Sequence, residues 1–142
     1  MQIQPSLAST QQLEIAYAFL ASCSTFDADV LADSLPAQFT HEVFPATIDV
    51  TAKRDKDKFL ALLRLSGTFF ERFEFVIPPL DIVQGPDVVT LHLKGNGTMQ
   101  KTGKPYNNEY MLTFRFEGEK IVSVREFVDS KYTAENFPAP GV

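Results

Sequence analysis

The chain has 142 residues, a length that suits one domain and leaves little room for two. Hydrophobic residues make up 44% and charged residues 22%, as in an ordinary globular protein. The formal net charge of −5 argues against a nucleic-acid groove, which needs surplus Lys and Arg facing phosphates, and no apolar run approaches the roughly 20 residues of a membrane span. We therefore expect neither nucleic acid nor a membrane as a partner.

Cysteine usage and the two ends of the chain bear on its setting and its domain limits. Cys23 is the only cysteine, so no intramolecular disulfide can form, which points to a reducing compartment. The first residues lack the basic patch and apolar run of a signal peptide. We expect one cytoplasmic domain over residues 1–142, with residues 1–8 and 137–142 as loose ends.

Three helices are predicted in the first half of the chain. Ser9 and Gln12 form a capping box ahead of the first helix, and Pro36 ends the second. Asp55 is a suitable N-cap for the third, Gly67 lies near its end, and the mixed charges of residues 53–58 predict a solvated helix start. The elements are a helix over about 9–23, a helix over 27–34, a short strand over 38–44 and a helix over about 55–67.

From about Phe69 the apolar period changes from 3.6 to 2, which is the repeat of a strand. The Pro78-Pro79 pair predicts a bulge or an edge bend, and residues 85–87 are a strong turn signal. Helices followed by an antiparallel meander predict an α+β fold whose curled sheet forms a cone, closed at one end and open at the other. The predicted strands cover residues 72–77, 80–84, 88–94, 106–116 and 121–129.

The strand predicted over residues 106–116 carries the most information about function. One face is graded, with hydrogen-bonding groups at one end and apolar rings at the other, as a pocket for a small organic molecule requires. Alternatively, the same face is simply core with its polar end at the rim. We expect Asn108 to orient a ligand, and Phe69, Phe73, Phe114 and Phe116 to form the wall. The face consists of Tyr106, Asn108, Tyr110, Leu112, Phe114 and Phe116.

Glu126 is the main candidate for acid–base chemistry. It shares one face of the last predicted strand with Val122, Val124 and Val128, and a carboxyl group in an apolar wall suits proton transfer near neutral pH. Alternatively, Glu126 faces solvent or pairs with Arg115 or Arg125. Asp129 is the alternative acid, closer to the end of the strand.

The remaining chemistry-bearing residues give weaker signals. His41 is a candidate proton relay, whereas His92 is predicted on a solvent-facing surface. Together with Cys23 they lack any zinc-ligand spacing, so we expect no metal. The Gly-Asn-Gly run at 95–97 lacks the third glycine and the following helix of a dinucleotide site, and we expect no cofactor.

The C-terminal part of the chain resembles a known family. The run G-x-P-Y-x-N-x-Y at residues 103–110, then a strand, a tight turn with Lys120-Ile121, and R-E-F-x-D at 125–129 resemble the ending of SnoaL-like proteins, a branch of the nuclear-transport-factor-two and ketosteroid-isomerase fold. The likeness is close over about 30 residues, and the helix-first layout extends it over nearly the whole chain. It looks closest to the stand-alone SnoaL-like proteins of fungal secondary metabolism.

This resemblance implies a cone-shaped pocket, cofactor-free acid–base chemistry and a homodimer formed through the outer face of the sheet. In relatives of that kind, tyrosines and a glutamate act on the substrate, and Tyr106, Tyr110 and Glu126 match those places. An arginine of such pockets has no match near Gln38. Family members include isomerases, polyketide cyclases, dehydratases, epoxide hydrolases and proteins without catalysis, so the fold alone does not fix the reaction.

The function expected from these observations is that of a cofactor-independent isomerase or cyclase acting on a hydrophobic polycyclic or polyketide-like intermediate. Glu126 would be the general base or acid, and Tyr110 and Tyr106 would stabilise a developing oxyanion. One alternative is a non-catalytic carrier with the same pocket. Another is an interaction module that uses the outer sheet face.

Overall fold

The computed structural model describes residues 5–48 and 53–137. Within those residues it has the predicted α+β class, with helices packed on one strongly curled mixed sheet. The elements, in chain order, are α1 Pro5–Thr25, α2 Ala28–Ser34, β1 Thr40–Phe44, β2 Arg54–Asp55, α3 Lys56–Ser66, β3 Phe70–Phe75, β4 Asp81–Gly85, β5 Val88–Met99, β6 Pro105–Tyr106, β7 Glu109–Glu117, β8 Lys120–Val128 and α4 Ser130–Asn136.

The predicted cap of the third helix, Asp55, is confirmed, the second helix begins with a cap that was not predicted, and the capping box expected for the first helix is wrong. Asp27 caps α2 by accepting from the backbone N–H of Asp29, and Asp55 caps α3 in the same way. However, α1 begins at Pro5, so Ser9 lies inside the helix and residues 5–8, expected to be loose, belong to it. Proline suits a helix start because its missing N–H would have no partner there.

The sheet is mixed, which corrects the expected antiparallel meander. Its strands follow the order β2-β1-β8-β7-β5-β3, and β4 and β6 also pair with β5. β1 lies parallel to β8, whereas the other pairs are antiparallel. A parallel pair needs a long connection, and the chain between β1 and β8 supplies one. β1, the short strand predicted among the helices, is therefore an inner strand of the sheet.

Two proline residues divide the edge of the sheet, as the sequence indicated. β3 and β4 both pair with β5, at opposite ends of that 12-residue strand. On either side of Pro78-Pro79, the ladder closes with hydrogen bonds from Val76 N to Lys94 O and from Leu80 N to His92 O, each 2.8 Å. Because proline cannot donate to a ladder, the interruption falls at this position.

A bulge between β7 and β8 changes which residues face inward. The register shifts between Arg115 and Phe116, so Ile121 turns into the core in place of Val122, which was expected there. A bulge inserts one residue and flips the alternation beyond it. Past the bulge, Val124 and Val128 face inward as predicted.

The segment after β8 forms a helix that was not predicted, and of the tail expected to be loose, residues 137–142, only Phe137 lies within the described residues. Asp129 caps the short helix α4 by accepting from the backbone N–H of Tyr132. Phe137 follows the helix and packs edge-on against Phe69, with ring centroids 5.3 Å apart. Among the described residues, no helix has both the length and the apolar character that a bilayer crossing requires.

Candidate functional site

A cavity of about 600 Å³ lies between the curled sheet and the helices. This volume falls within the range of roughly 300–1,000 Å³ that is usual for small-molecule sites. Tyr106, Asn108 and Tyr110 line it, so the alternating face predicted for residues 106–116 does open onto a cavity. The phenylalanines of its wall are Phe19, Phe26, Phe59, Phe70, Phe73, Phe75 and Phe137.

Three phenylalanines expected in that wall lie elsewhere, and only Phe73 was placed correctly. Phe114 and Phe116 are buried in the core, because the second half of β7 is covered by α1; the ring of Phe114 meets that of Phe19 edge-on at 5.5 Å. Phe69 packs against Phe137 in a second cluster and does not itself line the cavity. Alternation predicted the direction of these rings but not how deep they lie.

Gly95 allows two rings of the wall to lie across β5. A Cβ atom at this position would lie 2.8 Å from Cζ of Phe73 and 3.1 Å from Cε1 of Tyr110, closer than packed atoms allow. The glycine run that failed as a dinucleotide motif therefore has a packing role, which is to let aromatic rings approach the backbone.

A diagonal row of polar side chains crosses the face of the sheet that lines the cavity. Arg54 of β2 is paired with His41 of β1, and Glu126 of β8 lies opposite Val43. Since residues directly opposite one another share a face, Arg54, His41 and Glu126 all point into the cavity. Nε2 of His41 lies 3.3 Å from Oε1 of Glu126.

The structure decides between the alternatives for Glu126. Its side chain is 26% exposed and lines the cavity, so it does not face bulk solvent. Arg125 points the other way, where it reaches Glu42 at 3.7 Å and lies over the ring of Phe44 at 4.7 Å. The cavity carboxylate contacts His41 and neither of the arginines near it in sequence.

His41 is buried beside that carboxylate. Its ring centroid lies 4.8 Å from that of Phe59, and only 2% of the residue is exposed. Nδ1 of His41 has no hydrogen-bond partner among the described residues. The contact with Glu126 therefore fixes the orientation of the imidazole ring.

Arg54 is the functional candidate that sequence analysis missed. The mixed charges of residues 53–58 predicted a solvated surface, yet Arg54 is 9% exposed and lines the cavity. The cause is β2, a two-residue strand whose pairing with β1 turns this one side chain inward. Nothing in the local pattern signals so short a strand.

A hydrogen-bonded cluster forms the other polar end of the cavity. Nδ2 of Asn108 donates to the hydroxyl oxygen of Tyr106 and to Oγ1 of Thr133, each at 2.9 Å. Burial raises the pKa of Tyr106 to about 12, against the smaller lowering effect of hydrogen bonds with Asn108 and Thr133. Tyr106 therefore remains a hydrogen-bond donor throughout the neutral range.

The negative charge of Glu126 changes the pKa of groups on other elements that line the cavity. Burial raises the pKa of Tyr110 well above its usual value, and the nearby Tyr106 and Glu126 add to the effect. Burial also raises the pKa of the Cys23 thiol, and Glu126 contributes again. These groups lie on α1, β7 and β8, so the carboxylate faces the space they enclose.

The raised pKa of Tyr106 predicts a loss of stability at high pH. The unfolded chain releases this proton near pH 10 and the folded protein only near pH 12, so the contribution is complete below pH 10 and is lost as the pH rises towards 12. We expect the free energy of unfolding to fall more steeply for the parent than for Tyr106→Phe, by on the order of 1 kcal/mol per pH unit. Denaturant titrations at pH 9, 10 and 11 measure the two slopes; equal slopes would contradict the assignment.

The alternative acid and the second histidine lie away from the cavity. Asp129, the alternative acid, is exposed and serves as the cap of α4. His92 lies on the outer face of the sheet, where its Nε2 contacts the carboxylate of Glu109. Within residues 5–48 and 53–137, no three His, Cys, Asp or Glu side chains come together as metal ligands would.

Comparisons with known proteins agree with this geometry. AusH from Aspergillus nidulans has a TM-score of 0.76 at 21% identity, over 85% of each chain. BvnE pinacolase from Penicillium brevicompactum has a TM-score of 0.76 at 20% identity, over 89% of this chain and 91% of its own. IdmH from Streptomyces antibioticus, a proposed polyketide cyclase, has a TM-score of 0.73 at 19% identity, over 94% and 97% of the two chains.

These likenesses, all below 25% identity, establish the fold. A search of curated proteins finds no match to the sequence. The family model for the SnoaL-like domain, however, matches residues 16–124, which is more than half of the chain. That match covers α2, α3 and most of the sheet; it includes His41 and Arg54 of the polar row and ends within β8, two residues before Glu126. The chain therefore belongs to the SnoaL-like domain family.

Proposed function

We propose that this protein is a cofactor-independent isomerase or cyclase that uses acid–base chemistry on a hydrophobic polycyclic or polyketide-like intermediate. The observation that carries the proposal is the position of the Glu126 carboxylate, inside an aromatic cavity and 3.3 Å from His41. The protein would act in the reducing cytoplasm, which its single free cysteine, Cys23, favours.

Five polar groups of the cavity have a role in this proposal. Glu126 removes a proton from the substrate and returns one, and His41 orients the carboxylate or passes the proton on. Tyr106 and Tyr110 donate hydrogen bonds to the oxygen on which negative charge develops, a contribution of roughly 2.7–4 kcal/mol per donor in well-studied sites. Asn108 holds Tyr106 in place, as their 2.9 Å hydrogen bond indicates.

The cavity favours a rigid, largely apolar substrate with at least one oxygen. Seven phenylalanine rings line the cavity, and its charged and imidazole groups are those of the diagonal row. A carbonyl bound by the tyrosines would place an adjacent acidic C–H within the space that Glu126 also faces. The names of two fold relatives, a pinacolase and a proposed polyketide cyclase, are consistent with rearrangement or ring closure.

The proposal is tested by separating proton transfer from ligand binding at Glu126. An enzyme loses turnover when the carboxylate becomes an amide, whereas its affinity for an apolar ligand stays within about tenfold. A carrier with the same cavity would bind the ligand and show no proton transfer in either form.

We also propose that two copies associate through the outer face of the sheet. Met111 and Phe127 lie directly opposite each other on β7 and β8 and are 42% and 54% exposed, and the ring of Phe44 stacks beside Phe127 at 6.4 Å. Exposed apolar groups that adjoin in this way are usual at protein interfaces. A C2 dimer would cover the patch with a second copy of itself.

Sedimentation at micromolar concentration is expected to give a species of twice the 15.9 kDa chain mass. Phe127→Glu should produce a monomer, because the dimer would bury the new charge. Leu65→Glu, at a similarly exposed position on α3, should leave the dimer intact. A monomeric parent, or equal effects of both substitutions, would rule out this interface.

A further inference from the structure

The polar end of the cavity is completed by α4, the helix that the sequence did not predict. Besides the contact between Thr133 and Asn108, the hydroxyl oxygen of Tyr132 accepts from the backbone N–H of Asn107 at 2.7 Å. The ring of Phe137 lies 5.7 Å from that of Tyr106. A helix of seven residues is marginal by itself, so these contacts hold α4 against the cavity.

The hydrogen bonds of Asn108 fix the direction of its side chain. Oδ1 accepts from the backbone N–H of Glu109 at 2.8 Å, which identifies the other branch as the amide nitrogen. The two hydrogens of that nitrogen then go to Tyr106 and Thr133. Asn108 is 1% exposed, so water cannot replace either partner without cost.

Thr133 can act towards Asn108 only as an acceptor. A hydroxyl group has one hydrogen, and that of Thr133 is donated to the backbone carbonyl of Asp129 at 2.8 Å. Asn108 in turn donates to the oxygen of Tyr106, so the hydroxyl hydrogen of Tyr106 can go only to Thr133, with which Tyr106 also interacts, or to a ligand oxygen that takes its place. Linked hydrogen bonds of this kind polarise one another.

We infer that Thr133 is a positioning residue, which holds the donating amide of Asn108 against the Tyr106 oxygen and thereby sets Tyr106 to donate to an acceptor-only oxygen, such as that of a ketone or enone. The inference rests on the proposed role of Tyr106 as a donor. The inference adds that Tyr106 is held in its donating orientation only when α4 is packed against the cavity.

The test compares two ligands that differ in one oxygen, the bicyclic ketone 2-tetralone and its hydrocarbon parent tetralin. In Thr133→Val the ketone should lose affinity relative to the hydrocarbon by about three- to tenfold, as expected for one hydrogen bond. In Thr133→Ser, which keeps the hydroxyl group, the ratio of the two affinities should match that of the parent. An unchanged ratio in Thr133→Val would overturn the inference.

Tyr132→Phe is the matched control, because it removes the other hydrogen bond of α4 and leaves the Asn108 network intact. If α4 only closes the cavity, Tyr132→Phe and Thr133→Val will weaken both ligands equally, which contradicts a positioning role. If neither ligand binds the parent, the proposed function fails while the inference is still decided by proton exchange of the Asn108 carboxamide, measured by NMR. Exchange that accelerates in Thr133→Val and not in Thr133→Ser supports it; unchanged exchange refutes it.

Discussion

Glu126→Gln is expected to lower the rate at which the protein exchanges the α-protons of 2-tetralone for deuterium by roughly 10²–10⁴-fold, the usual contribution of a general base. The ketone is small enough for the cavity, and its acidic C–H bonds lie next to a carbonyl that Tyr106 and Tyr110 can polarise. Glutamine has nearly the same shape as glutamate but cannot accept the proton. NMR integration of the α-proton signals in deuterium oxide measures the rate, and titration of the same ketone measures its affinity, which should stay within about tenfold of the parent.

The chain contains a matched control for this experiment. Glu109 is also a glutamate on a strand, it also contacts a histidine, and it lies on the outer face of the sheet. Glu109→Gln therefore removes the same charge from a histidine–carboxylate pair outside the cavity and should leave the exchange rate unchanged. Exchange that persists in Glu126→Gln, or that falls equally in both variants, would exclude Glu126 as the base. Parent protein that binds the ketone without accelerating exchange would be a carrier.

Most elements of the fold were predictable because their signals are local. The apolar spacing of α2 and α3 and their aspartate caps specify helices, and strict alternation specifies β7 and β8. The elements that were missed depend on the rest of the fold. β2 is two residues long, and α4 has no buried residue of its own, so neither carries a hydrophobic pattern. The parallel pairing of β1 with β8 is likewise set by the folded chain between them.

The candidate site divides in the same way. The period of two along one strand is enough to bring Tyr106 and Tyr110 to one face, since it depends only on alternation. Whether Glu126 shares that face depends on the register between β7 and β8, which the sequence did not fix. Arg54 and Thr133 enter the cavity because distant segments pair or dock beside it, and a single sequence carries no record of those contacts. Their roles can be inferred only from the hydrogen-bond partners and neighbours of the buried polar atoms in the folded structure.

Phe114→Ala is expected to reduce the free energy of unfolding by about 3–5 kcal/mol, the range found for phenylalanine removed from a well-packed core. The side chain has no exposed surface, and its ring lies between the sheet and the edge of Phe19. Such a loss is a large part of the roughly 5–15 kcal/mol that a domain of this kind has in total. Denaturant unfolding followed by circular dichroism measures it, and Phe114→Leu provides a milder variant that remains folded.

Phe73→Ala is the comparison that separates core from cavity wall. Phe73 is half-buried and lies over Gly95 at the cavity surface, so its removal should cost roughly 1–2 kcal/mol while changing the affinity for 2-tetralone. Phe114→Leu should do the reverse, lowering stability and leaving the affinity as it is, because its ring does not reach the cavity. A loss below about 1 kcal/mol in Phe114→Ala would mean that the helices do not pack on β7 as described. A change of ligand affinity in Phe114→Leu as large as that in Phe73→Ala would show that Phe114 does contact the ligand, as alternation along the strand had predicted.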